Sequence, residues 1–196
     1  MVKRKQMKTV ADYLRWEPYL EDDQVQYLRE KVDAPSVMDV GVFKHVATPQ
    51  SLDGLTLEEL CRLQDIAAQK SVFHAAGEVL LGMTPEEVLK APLLPMLGLR
   101  NMVEKELERI AALFEELTRE FTAAEVMAGA DGLNFGMFGL ADWYARRMGL
   151  GSHDDAFATP WIRIYQCRKN DLAESEYRER LREVQAQMMN NTSKYA

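Results

Sequence analysis

Cysteine is almost missing: Cys61 and Cys167 are the two in a chain of 196 residues. Far apart and in helical patterns, they read as buried free thiols, which suits a reducing cytoplasm and excludes a disulfide scaffold. Histidine is nearly as scarce, with three residues. A zinc site needs three or four ligands. His45, alone near a turn, and His74, beside Phe73 in a helical stretch, therefore read as ordinary side chains. No segment approaches the roughly 20 apolar residues that span a bilayer. Basic charge is in deficit, with 24 Lys and Arg against 31 Asp and Glu, a net charge of -7. Nonspecific nucleic-acid binding needs the opposite balance. Only Met1 to Lys8 is basic. It runs into Thr9-Val10-Ala11-Asp12 rather than an apolar stretch, so a signal peptide is not expected.

Reactive motifs are missing too. There is no Gly-x-Ser-x-Gly elbow, Cys-x-x-Cys pair, phosphate loop or His-Glu-x-x-His. Gly132, Gly136 and Gly139 lack the strand-to-helix setting and the Lys-Ser/Thr of a nucleotide loop, so they read as turn punctuation and close helix packing. His153, Asp154 and Asp155 form the one weak metal candidate. After Ser152 they also sit where a short helix begins, and acids there answer its free N–H groups. The capping reading is preferred. No enzyme and no cofactor are expected.

What the chain does hold is helix. Hydrophobic residues make up 47% and charged residues 28%, the balance of a soluble globular protein. The pattern predicts an all-α fold: a multi-helix bundle with two long helices and several short ones. A short β-hairpin near 37–48 is left open by the β-prone Val37, Val40 and Val42, although two strands alone would be marginal. Residues 1–54 read as an arm with a short helix, capped by Asp22 or Asp23, striped by Val25, Leu28 and Val32, and ended by Ala34-Pro35. Residues 55–190 read as the helical domain. Thr56 and Glu59 form a capping box that opens a helix running to about Leu81, closed by Gly82. A short helix opens at Thr84-Pro85, and Pro92 and Pro95 end it.

Val103, Leu107, Ile110, Phe114, Leu117 and Phe121 then alternate by four and three. This heptad seam packs within the chain or, as the second reading, joins copies in a homo-oligomer. Thr122 caps a short helix ending near Gly129, and residues 136–148 form another. Thr159-Pro160 launches a helix through Cys167, and Asp171 with Glu174 offers a fresh start. Tyr177, Leu181, Val184 and Met188 make the last stripe, and residues 190–196 are expected to fray.

Residues 133–167 concentrate seven of the chain's 17 aromatic side chains: Phe135, Phe138, Trp143, Tyr144, Phe157, Trp161 and Tyr165. Such rigid apolar area closes a core or meets a partner. The core reading is preferred for most of the block: Phe135, Phe138, Trp143 and Trp161 plug the end of the helical core, with Arg146 and Arg147 packed along them. If part of it faces outward, Phe138, Trp143, Tyr144, Arg147, Trp161 and Tyr165 are the candidate contact residues, since aromatics and arginine dominate interface centres.

The run Phe135-Gly136-Met137-Phe138-Gly139-Leu140-Ala141-Asp142-Trp143-Tyr144-Ala145-Arg146-Arg147-Met148-Gly149, followed by Pro160-Trp161-Ile162-Arg163-Ile164-Tyr165, resembles uncharacterised phage and prophage proteins of gut bacteria. Leu55 to Gln64 and Glu78 to Gly82 share in the resemblance, which spans residues 55 to about 185. By size, acidity and helicity the chain also resembles phage tail assembly chaperones. That resemblance implies a morphogenesis factor in the cytoplasm of a bacterial host, binding a helical client, the tape-measure protein. The alternative it leaves is a structural connector subunit or a host-directed binding module.

Overall fold

The computed structural model describes residues 7–40, 44–118, 122–133 and 135–193. Among these, ten α-helices and one two-stranded sheet make a mainly helical fold. Thr9 opens α1 (Val10–Trp16) with a capping box completed by Asp12. A 3-10 turn, Glu17–Tyr19, leads to α2 (Asp22–Lys31). Its N-cap is Glu21, one residue before the expected aspartates, because Glu21 and Gln24 exchange side-chain and main-chain hydrogen bonds.

The hairpin is present: β1 (Val37–Val40) pairs antiparallel with β2 (Lys44–Ala47), Val37 opposite Ala47 and Asp39 opposite His45. Two strands in isolation would barely hold. Here Met38 buries its side chain in the core, while Asp39 and His45 pair on the exposed side at 2.6 Å. Alternation along the strand sets which face goes inward.

The helix expected from 56 to 81 is interrupted. α3 (Leu57–Gln69) keeps the Thr56–Glu59 box, but the backbone leaves helical angles at Lys70, and Ser71 caps a new helix, α4 (Val72–Ala75). A π-helical turn, Ala76–Leu80, carries the chain to Gly82. α5 (Pro85–Lys90) follows the Thr84–Glu87 box. Pro92 and Pro95 do more than end it: Pro92 is the N-cap of α6 (Leu93–Glu115), and Pro95 sits in the first turn, where a missing N–H costs nothing.

The seam lies along α6. Val103 and Ile110 are buried, Leu107, Phe114 and Leu117 are half-buried, and Phe121 lies outside the described residues. α6 as a whole packs on α1, α2, α4 and the π-helical turn of the same chain. Phe114 adds a contact further on, its ring 5.9 Å from those of both Trp161 and Tyr165. At Gly98 the segment after α2 crosses α6 so closely that a Cβ would fall 2.1 Å from the carbonyl oxygen of Asp33. Beside it Asn101 donates to the carbonyls of Leu28 and Val32, each at 3.0 Å, satisfying the end of α2.

α7 (Ala123–Met127) starts from the Thr122–Glu125 box, and α8 spans Gly136–Met148. α9 (His153–Phe157) is capped by Ser152. α10 (Trp161–Ser193) is continuous. The fresh start at Asp171 does not occur: no helix breaker stands there, and the Asp171 carboxylate is taken by Arg147 on α8. α10 also continues past Asn190 as helix; residues 194–196 lie outside the described set.

Two pairs of helix starts are fixed by main-chain bonds from distant segments. Val10 donates to the Ala91 carbonyl and Leu93 to that of Lys8, tying α1 to α6. Leu57 donates to the Thr159 carbonyl and Trp161 to that of Leu55, tying α3 to α10. Main-chain donors left free at helix N-termini are thereby satisfied within the fold. One cluster of buried side chains draws on both sides of residue 54, including Val10, Tyr13 and Leu52 as well as Leu60, Leu99 and Trp161. Cys61 and Cys167 are free but half-buried rather than buried. Burial pushes the Cys61 thiol up from its ordinary value, with Asp65 adding to the effect.

Candidate interaction groove

The aromatic block divides into an inner and an outer set. On α10, Trp161 is fully buried and Tyr165 nearly so; on α8, Tyr144 is buried as well. These three of the six expected contact residues present no face to a partner: the helix phase turns them inward, and it brings the Trp161 and Tyr165 rings against Phe114. Phe135 and Phe138 show the reverse, at 68% and 58% exposed, although the core reading places both inside. A helix turns about 100° per residue, so neighbours in a dense aromatic run necessarily point different ways.

Between the end of α6, the segment before α8, α8 itself and α10 lies a groove of about 730 Å³. Half-buried Leu117, Leu140 and Leu172 line it, and exposed Leu133 and Phe135 stand at its edge. Gly139 faces the Phe135 side chain so closely that a Cβ would lie 2.5 Å from that of Phe135. The small residue thus lets Phe135 fold back along the first turn of α8.

Trp143 forms one side of the groove. The guanidinium of Arg168 lies over its ring at 5.3 Å and that of Arg147 at 6.0 Å. Arg147 also grips Asp171 with Nε and Nη2, at 2.9 Å for each closest contact. This fork joins α8 to α10 and holds the tryptophan in one position. The Arg147 hydrogen bonds keep the Asp171 carboxyl below its ordinary value, with Arg168 and Arg178 contributing. Of the expected contact residues, then, Trp143 lines the groove and Arg147 braces it. Phe138 stands exposed elsewhere on α8, its ring 5.0 Å from that of His153.

His153, Asp154 and Asp155 are not brought together around a common point. The His153 ring meets Asp142 Oδ1 at 3.1 Å, and Asp142 also pairs with Arg146. Asp142 is held below its ordinary value by the His153 hydrogen bond, with help from Arg146. Asp155 belongs to the Ser152 cap, exchanging side-chain and main-chain bonds with it. Asp154 lies exposed in the first turn of α9. Among the described residues no group of three or more His, Cys, Asp or Glu side chains is spaced to hold a metal ion.

Leu117, Leu140, Arg168, Asp171 and Leu172 were not marked by the sequence as site residues. The four-residue spacing of Arg168 and Leu172 on one helix face was the available signal, and it needed the phase of α10 to be useful.

No family model, curated protein or solved structure matches this chain. No described helix is long and apolar enough to cross a membrane.

Proposed function

We infer that this chain is a binding protein whose groove receives an apolar helix face of another protein. The observation that carries the reading is the pairing of exposed Leu133 and Phe135 with a groove of leucines beside an arginine-braced tryptophan. Interface centres are built from such aromatics and arginines. A helix laid in a groove engages it through side chains spaced by three and four residues.

The resemblance of residues 133–171 to phage and prophage proteins gives the client its identity within this proposal. A tail assembly chaperone of the host cytoplasm would hold a helical tape-measure segment before the tail polymerises. Co-expression tests this. The chain should keep a tape-measure segment from the same genome in solution, and Phe135→Asp should abolish that effect without lowering the melting temperature. Equal solubility of the segment with and without the chain would sink the proposal.

A further inference from the structure

The second half of α10 bears a surface unrelated to the groove. Every described side chain from residue 173 to residue 189 is exposed. Among them Tyr177, Leu181, Val184 and Met188 are spaced by four, three and four, with Tyr177 58% and Met188 66% exposed. Helix geometry puts this stripe roughly opposite Trp161, Ile164, Arg168 and Leu172, the face through which α10 meets the rest of the fold. The apolar side of the helix therefore changes over near residue 173. Rolling the helix to bury the stripe against its own domain would expose Trp161, so the stripe is turned away from the body that carries it.

We propose that this stripe is the seam of an antiparallel two-helix contact with α10 of a second copy. The stripe is self-complementary in that orientation. Centred between Leu181 and Val184, it forms four layers: Tyr177 against the second copy's Met188, Leu181 against its Val184, and the two reciprocal layers. Reciprocity of this kind is what a two-fold contact requires. Methionine sulfur beside a tyrosine ring is a favourable outer layer.

Charge opposes one of the alternative registers, and the number of layers opposes the other. The residues flanking the seam are Arg178 and Gln185 on one side and Arg180 and Gln187 on the other. In the four-layer register each arginine lies across from a glutamine of the second copy. Sliding by one heptad in one direction sets Arg178 against Arg178 and Arg180 against Arg180; in the other it sets Gln185 against Gln185 and Gln187 against Gln187, and both slides lose layers. A parallel pairing stacks Glu174 on Glu174 at a seam position. Like charges so placed oppose association.

Light scattering and cysteine cross-linking on the full chain test the proposal. At tens of micromolar the mass should be twice the chain mass of 22.4 kDa. Leu181→Glu with Val184→Glu should halve it and leave the chain folded, its melting temperature falling only to the value that wild type shows when diluted to the monomer, since both side chains are exposed in the single copy. Tyr177→Cys alone should not cross-link, because the two positions lie roughly 16 Å apart along antiparallel helices. Tyr177→Cys combined with Met188→Cys should cross-link, the layer bringing the pair within the about 7 Å that a disulfide spans. A monomeric wild type, a dimer that survives the double glutamate variant, or efficient cross-linking of Tyr177→Cys alone each overturns it. None of these results depends on whether the groove binds a client.

Discussion

The indole N–H of Trp161 donates to the main-chain carbonyl of Leu52 at 2.7 Å, joining positions 109 residues apart. Leu52 is itself held from α6, its N–H donating to Glu106 Oε2 at 2.9 Å. Arg109 completes the junction by bonding Glu106 and Asp53 and lying over the Trp161 ring at 5.8 Å. The loop before α3, the middle of α6 and the start of α10 thus meet at one tryptophan. Truncation there should be severe. Trp161→Ala is expected to cost about 3–5 kcal/mol in urea unfolding. Trp161→Phe should cost less, about 1 kcal/mol for the lost hydrogen bond, because the Leu52 carbonyl keeps the N–H of Leu55. Similar losses for the two variants would mean the indole hydrogen bond, not the ring, carries the junction.

Acid should loosen the same junction. The Arg109 hydrogen bond, aided by the Leu52 N–H, holds the Glu106 carboxyl below its ordinary 4.5, against an opposing effect of burial. A carboxyl lowered by folding contributes stability that is fully present above its unfolded value. That contribution is lost as pH falls through the lower, folded value. Melting temperature should therefore drop below about pH 4.5. The drop should be shallower in Glu106→Gln, which has no such proton to take up. Parallel acid profiles for the two proteins would rule this contribution out.

Along α6, two substitutions of the same kind should differ. Ile110 is buried, so Ile110→Asp places an unpaired charge in the core and is expected to unfold the chain, a loss above about 4 kcal/mol. Leu117 is only half-buried at the groove, so Leu117→Asp should leave a cooperative melt. Circular dichroism melts decide, and an unfolded Leu117→Asp would extend the core to the end of the seam.

At Trp143 the half-buried ring separates stability from binding. Trp143→Ala should cost less than the about 3–5 kcal/mol of a core aromatic, while capture of a helical client is lost. A core-sized loss with client capture intact would make Trp143 a packing residue.

Much of this fold was legible because local signals decide helix starts. Thr56 with Glu59 and Thr122 with Glu125 mark their helices by side-chain bonds three residues apart, and tertiary contacts only reinforce them. The break at Lys70 was not legible, since small and apolar residues continue across it and periodicity alone reads one long helix. Neither was the continuity of α10 through Asp171, whose capping chemistry was diverted to an arginine 24 positions earlier. The aromatic block shows the deeper limit. Composition revealed that residues 133–167 hold the decisive apolar area, but inward Tyr144 and outward Phe138 differ only in helical phase. That phase is fixed by the packing of α8 on α9 and by the Arg147–Asp171 pair to α10, and one-dimensional spacing does not contain it.

The groove is tested most directly by titrating a synthetic tape-measure helix from the same genome into wild type, Phe135→Asp and Leu140→Asp, with calorimetry as the readout. Binding to wild type should be saturable and at least tenfold weaker in both variants, a difference of about 1.4 kcal/mol, with all three proteins folded. Undiminished binding to both variants would place the client elsewhere on the molecule and contradict the assignment of the groove.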